Sequence, residues 1–412
     1  MQGNQVKKLL NVEYSTIQGT YWMYYGVVAS FASVFLLEQG YTNANIGLIL
    51  AIGSVVAVFL QPFAADIADN SKRSSLIGIT MTMTTVLAIA TLGLFLFKGE
   101  SMALSAVFVF LVGWHTAIQP LINSLSFKLQ ESGYKINFGV ARSVGSLAYA
   151  ILCGILGWVV SKTGIMAIPI AGEVVLITML IVLLLVKAHF KKASEQPDEI
   201  KDIASVKEDH SRRIKANISL KEFASRNKLF IIVNIGVVGL FFSNSALNNF
   251  MFQIVTRVGG DSADMGTLFS VMAALEIPTM IVFDRIRARW SCQTLLKVAA
   301  VFFAIKIALC LVATSVTMLL IAMLTQLISF ALFLPAMVHF INEIMDRGEA
   351  VKGQAVYTTM TTVGAVLASL IGGLVLDISG AKMLLLVSTI FTIVGAVIIV
   401  ATVDKIKSNK EY

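Results

Sequence analysis

Charge is what this sequence has least of. Asp, Glu, Lys and Arg make up 14% of its 412 residues and 57% are hydrophobic, whereas an ordinary soluble domain carries about 25% charged residues. That deficit excludes a water-soluble fold, because a soluble chain of this length could not cover so much apolar side chain. Alternating strands of ~10 residues, the pattern of a membrane barrel, are absent as well. The three cysteines, Cys153, Cys292 and Cys310, lie in or beside apolar runs without metal spacing. They read as small packing residues. Also missing are His-Glu-x-x-His, Gly-x-Ser-x-Gly and the P-loop pattern Gly-x-x-x-x-Gly-Lys-Ser/Thr. Their absence argues against an intramembrane enzyme and a nucleotide-driven pump, and no filter-like interruption suggests a channel.

What is present is a succession of long apolar blocks. A bilayer core of ~30 Å takes about 20 helical residues to cross. Spans read at about 12–37, 43–66, 74–97, 101–128, 136–160, 164–187, 229–256, 262–285, 291–314, 316–345, 351–377 and 380–404. The expected fold is therefore an all-α membrane protein of twelve transmembrane helices. The net charge of +8 follows the connections: Lys and Arg crowd one set of helix ends, and the opposite connections hold only Lys98, Lys162, Arg257 and Lys382. Positive charge stays in the cytoplasm, so both termini are expected inside a plasma membrane. The basic character is an orientation signal, and the expected partners are the lipid bilayer and a small molecule, with no nucleic acid. The chain reads as a monomer without cofactors.

Residues 188–228 form the one long polar stretch, a mixed-charge segment flanked by six spans on each side. The expected organisation is a six-helix bundle over 1–187, a cytoplasmic linker over 188–228 and a second six-helix bundle over 229–412. The halves resemble each other. Asn45-Ile46-Gly47 opens span 2 and Asp264-Met265-Gly266 opens span 8; each span then has a proline near its far end, Pro62 and Pro278, followed by acidic and basic residues. Pro120 and Pro335 precede Gly139 and Gly353, which start spans ending in Ser-Lys-Thr-Gly and Asp-Ile-Ser-Gly. Such a repeat points to a parallel duplication about an axis along the membrane normal.

Two six-span halves, a central polar loop and the segment Ala65-Asp66-Ile67-Ala68-Asp69-Asn70-Ser71-Lys72-Arg73 together resemble the major facilitator superfamily. Gln61-Pro62-Phe63 with Asp69, and Asn137-Phe138-Gly139-Val140-Ala141-Arg142 running to Gly145 and Tyr149, are similar to the branch of lactose permease and phenylpropionate permease-like proteins. The resemblance implies an arginine at Arg142 that contacts substrate, an aromatic at Tyr149 beside it, and alternating access by two rocking halves. It also implies that Asp69, with Arg73, gates the cytoplasmic side by meeting the N-terminus of span 11, where a carboxylate suits the positive helix end. Asn123 stands where lactose permease has its sugar-binding acid. Gln326 and Ser329 stand in place of its span-10 His and Glu, while Glu276 and Lys306 match a Glu and an Arg.

Charges at membrane depth cost several kcal/mol and mark functional positions. Arg142, Glu173, Glu276 and Lys306 are the clear cases, with His115 and His339 as titratable neighbours. Arg142 offers a planar fork for a hydroxyl pair or carboxylate; a structural ion pair is the alternative. His115, Gln119 and Asn123 recur every four residues and form one polar stripe on span 4. Tyr21 and Tyr25 share a face of span 1 and offer stacking with hydrogen bonding, and span 7 adds Asn244, Asn248 and Asn249. Substrate contact is assigned to Arg142, Tyr149, Asn123, Gln119, His115, Tyr21, Tyr25 and Asn248. Proton coupling is assigned to Glu276, Lys306 and Glu173, against the alternative that Glu276 and Lys306 form a static salt bridge.

The expected function is proton-coupled import of a sugar, oligosaccharide or nucleoside. An aromatic-acid importer and a drug–proton antiporter are the alternatives within the class, and an intramembrane enzyme or receptor outside it. Orientation is testable directly. A cysteine placed at Ser205, in a background lacking Cys153, Cys292 and Cys310, is expected to resist an impermeant thiol reagent added outside intact cells. Rapid external labelling would contradict a cytoplasmic 188–228.

Overall fold

In hydrocarbon a helix satisfies its own backbone, so apolar runs of this length fold as helices. The computed structural model describes residues 2–71, 73–131, 136–194 and 220–406. Most of the linker read over 188–228 therefore lies outside the described residues. Among the described residues there is no strand. The helices are α1 (Gln2–Tyr25), a π-helical segment (Gly26–Ser30), α2 (Ala32–Glu38), α3 (Asn43–Asn70), α4 (Arg73–Thr91) and α5 (Gly93–Leu96). They continue with α6 (Met102–Glu131), α7 (Phe138–Thr163), α8 (Ala167–Ser194), α9 (Leu220–Arg226), α10 (Lys228–Asn249), α11 (Met251–Arg257) and α12 (Ser262–Arg287). Last come α13 (Cys292–Val312), α14 (Val316–Leu324), a 3-10 turn (Thr325–Leu327), α15 (Phe330–Ile344) and α16 (Arg347–Thr402).

Ten described segments are long and apolar enough to cross a membrane, and an eleventh if Leu9–Ser30 and Ala32–Glu38, bent by 40°, count as one span. The segment Glu349–Lys405 has 57 residues; a straight helix of that length would run ~85 Å. Gly380, at φ 75° and ψ 179°, turns the chain inside it. Only glycine adopts that conformation without strain, and two helices meeting there bring the count to the twelve expected. The span read as continuous over 316–345 is instead broken. Gln326 lies in a 3-10 turn and Ser329 has φ −82° and ψ −94°. The carbonyl of Leu327 at that break accepts a bond from Thr279 Oγ1 at 2.9 Å, so α12 supplies what the helix lost.

By contacts the chain divides into two units, residues 1–31, 52–152 and 163–213, and residues 32–51, 153–162 and 214–412. In the first, α1 packs on α8, and α4 lies against α6 and α8. In the second, α10 and α13 pack on α16 around a buried set that includes Phe230, Phe303, Phe333 and Phe340. The internal repeat reaches into local geometry. Span 1 breaks at Phe31 and span 7 at Phe250, and the short helices that follow, α2 and α11, are displaced by the same offset at both ends (32 to 251, 38 to 257), as are Gly47 and Gly266.

Two close crossings organise one end of the second unit. A methyl on Gly157 would meet Gly266 Cα at 2.9 Å, and one on Gly373 would meet Ala44 Cα at 3.0 Å. Any larger residue there would press on backbone, which cannot give. Beside the second crossing Asp377 caps α3. Its Oδ1 accepts from the Asn43 backbone N–H (3.0 Å) and Nδ2 (2.8 Å), and its Oδ2 from the Ala44 N–H (2.7 Å). Asn43 Oδ1 in turn accepts from Gln253 Nε2 at 2.9 Å. A carboxylate at a helix N-terminus satisfies free donors and the helix dipole together. Replacing Asp377 with Ala is expected to cost about 0.5–2 kcal/mol of local stability. Hydrogen exchange at the Asn43 and Ala44 amides should then quicken, and unchanged protection would show that the cap contributes nothing.

Candidate functional site

In the first unit, α1 and α7 approach where Gly19 faces Ala148 and Gly145 faces Gln18 and Trp22. Side chains near this approach share one face of each helix by i, i+3, i+4 spacing: Gln18, Tyr21, Trp22 and Tyr25 on α1, Arg142, Gly145, Ser146 and Tyr149 on α7. The guanidinium of Arg142 lies 4.0 Å above the Trp22 ring, and its Nη1 donates to Ser146 Oγ at 3.0 Å. The π-helical segment follows Tyr25 directly, and it places Ser30 Oγ 2.7 Å from the Tyr149 hydroxyl. Insertions of this kind are frequent at functional sites because they re-aim the side chains around them.

His115 on α6 completes an aromatic cluster. It stacks on Tyr21 at 4.2 Å and 17°, and its ring centroid lies 5.2 Å from Tyr24 and 6.3 Å from Tyr25. Tyr25 and Tyr149 lie 6.1 Å apart. One turn along the stripe, Gln119 is half-buried. Asn123 Oδ1 accepts from Gln18 Nε2 at 3.3 Å, and Gln18 also donates to the Tyr14 hydroxyl. Six of the eight assigned substrate residues (Tyr21, Tyr25, His115, Asn123, Arg142 and Tyr149) thus join two neighbouring groups of polar and aromatic side chains. Two buried polar atoms here, His115 Nε2 and Glu173 Oε1, have no protein hydrogen-bond partner. Such atoms are uncommon in native folds. They mark places where a solute or water has something to bond.

In the second unit Lys306 is 0% exposed. Its Nζ donates to Gln326 Oε1 at 2.8 Å and approaches Asn244 Oδ1 at 3.5 Å, and it lies 5.0 Å from the Phe303 ring centroid. Gln326 Nε2 donates to Glu276 Oε1 at 3.0 Å. The amide therefore stands between acid and base, its oxygen toward the cation and its NH₂ toward the carboxylate. Glu276 sits two residues before Pro278, within α12, and Gln326 lies in the 3-10 turn, so both come from helices with an interrupted backbone ladder. Among the neighbouring asparagines Asn244 joins this network, Asn249 donates to Ser369 at 2.8 Å, and Asn248 is half-buried near the end of α10.

Asp69 is exposed in the last turn of α3, and the Arg73 side chain lies outside the described residues. His339 stacks on Phe283 at 5.5 Å. Trp22 and Gln326 were not among the residues assigned from sequence. Trp22 shares the face of Gln18 and Tyr25 by spacing, but on an already aromatic helix nothing in the sequence sets it apart as the partner of Arg142. Gln326 is an amide in a position where an acid or histidine was sought, and only its two neighbours reveal its place.

Comparison with known proteins agrees with this architecture. The MFS_1 like family model matches residues 14–407. The chain is 23% identical over 343 residues to the uncharacterized transporter YwbF of Bacillus subtilis (strain 168), covering 81% of this chain and 79% of that one. It is 22% identical over 378 residues to a maltose permease of Geobacillus stearothermophilus, covering 91% and 90%. Among solved structures, the nucleoside transporter NupG aligns with a TM-score of 0.72 at 17% identity over 98% of this chain and 99% of that one. A bacterial homologue of the lysosomal transporter Spinster, inward-facing and unoccupied, aligns at 0.67 and 13% identity, with 98% and 99% covered. The two structural likenesses show the fold, and the family match along nearly the whole length assigns the chain: it belongs to the MFS_1 like family of major facilitator proteins, and is a multi-pass membrane transporter of small solutes and not an enzyme.

Proposed function

We propose that the chain is a proton-coupled importer of a small polar solute, a sugar, oligosaccharide or nucleoside, working by alternating access in the plasma membrane with both termini cytoplasmic. The observation that carries the coupling half of this reading is the chain that runs from half-buried Glu276 through buried Gln326 to buried Lys306. A carboxylate tied through an amide to a cation that lipid cannot solvate is placed so that gaining or losing a proton changes the balance of charge around that cation. The solute half is supported by the cluster of Tyr21, Tyr25, His115, Tyr149 and Arg142, where rings offer faces and the guanidinium offers paired donors. Gln119, Asn123 and Asn248 supply further polar contacts in this reading, Glu173 is the second proton candidate, and Asp69 with Arg73 gates the cytoplasmic side. The relatives named for maltose and nucleosides support the solute class. An aromatic acid is the second reading, favoured by Arg142, whose fork suits a carboxylate as well as a diol.

Glu276→Gln mimics the protonated acid and removes the charge change. It is expected to abolish uphill accumulation while leaving exchange of internal for external solute intact. If Glu276 instead only neutralises Lys306, the substitution leaves a buried charge uncompensated at a cost of about 3–5 kcal/mol. Expression would then fall, and adding Lys306→Met would restore both expression and uphill transport. Recovery of uphill transport in the double variant would overturn the assignment of the proton site.

A further inference from the structure

Trp22 is a large aromatic of the first unit's cluster that has no role in the proposed function, and its surroundings are specific. Its ring carries the Arg142 guanidinium at 4.0 Å. It stands edge-on to Tyr21 at 5.4 Å and 88° and to Tyr25 at 5.6 Å and 63°. It fits only because position 145 has no side chain: a methyl on Gly145 would lie 2.6 Å from Trp22 Cδ1.

We propose that Trp22 is a positioning residue that holds Arg142 in the orientation that selects the solute, and that Gly145 is the vacancy that lets it do so. This rests on the reading of Arg142 as a substrate contact. An arginine side chain has four rotatable bonds before its planar fork, and a fork that wanders cannot discriminate between ligands. The indole face fixes the plane of the guanidinium, since a cation is drawn to the ring's negative face. Ser146 Oγ fixes rotation within that plane by accepting from Nη1. With the guanidinium face set against the ring, recognition of a solute falls to donors in the guanidinium plane. The ligand chemistry this selects is a pair of adjacent, coplanar acceptor oxygens, as in a vicinal diol or a carboxylate. Because Trp22 also touches Tyr21 and Tyr25, the same indole sets the fork's position relative to the rings that would cover the solute.

The test measures equilibrium binding of maltose, uridine and 3-phenylpropionate to purified protein, one probe for each proposed solute class. Arg142→Lys is expected to weaken binding of the probe that the native protein accepts by about 10-fold or more. Trp22→Leu and Gly145→Ala, which removes the vacancy while keeping the indole, are each expected to weaken it about 3- to 30-fold. Trp22→Phe retains a ring face and should stay within about threefold of native. Trp22→Leu combined with Arg142→Lys should bind no worse than Arg142→Lys alone, because the indole acts through the fork. Weakening by Arg142→Lys with native binding in Trp22→Leu, or effects that multiply in the double variant, would overturn the positioning role and leave the substrate site standing. Native binding in Arg142→Lys, or no binding of any probe by the native protein, would sink the substrate reading instead. A ligand-free measurement then decides for Trp22. With Trp114, Trp158 and Trp290 changed to Phe, Arg142→Leu should shift the Trp22 emission, and an unchanged spectrum would show that the two side chains do not meet.

Discussion

Within hydrocarbon no water replaces a lost backbone hydrogen bond, so a transmembrane helix can be interrupted only where another protein group takes over. The interruptions in this chain are accordingly few, and most lie beside chemistry. In the π-helical segment the Phe31 N–H closes a wider ring onto the Gly26 carbonyl at 3.0 Å, directly after Tyr25 and beside the Ser30–Tyr149 bond. In span 10 the 3-10 turn carries Gln326, and Thr279 satisfies the Leu327 carbonyl. In span 7 the break at Phe250 follows the asparagines. Each break exchanges a little helical regularity for a side chain aimed where a continuous helix would not put it.

The same solvent makes buried charge expensive, and the chain handles its two best-placed cations differently. Lys306 is enclosed and held by amide oxygens, with Glu276 one amide away. Arg142 is half-buried against an indole and a serine. A buried lysine held by amide oxygens keeps its charge within reach of a neighbouring acid whose protonation changes. Among the described residues of the first unit, three buried side-chain atoms lack a hydrogen-bond partner, Glu13 Oε2, His115 Nε2 and Glu173 Oε1, and two of the three belong to residues assigned to solute or proton.

Much of the fold was legible because spans announce themselves by length and hydropathy, and because the duplication leaves marks at Gly47 and Gly266, Pro62 and Pro278. The close helix crossings were not legible, since Gly157 meets Gly266 across more than a hundred residues. The intramembrane charges were visible individually. Their partners were not: Gln326 between Glu276 and Lys306, Trp22 under Arg142, and Asp377 at the start of α3 are contacts between separate helices, which spacing along one helix does not reveal. Asp377 was in plain view, in the Asp-Ile-Ser-Gly turn that marked the repeat. Its role as a cap depends on Asn43, more than three hundred residues away. The broken span 10 escaped for a related reason, because Leu, Ile and Phe dominate 316–345 and the turn is stabilised by Thr279 on another helix.

The central claim, uphill import of a polar solute driven by protons, is tested most directly by uptake into proteoliposomes under an imposed inside-alkaline pH gradient, with sugars, nucleosides and aromatic acids offered in parallel. The account predicts that a sugar or nucleoside accumulates above its external concentration only while the gradient lasts, and that a protonophore collapses the accumulation. Accumulation that ignores the proton gradient and follows a sodium gradient, or accumulation confined to the aromatic acids, would contradict it.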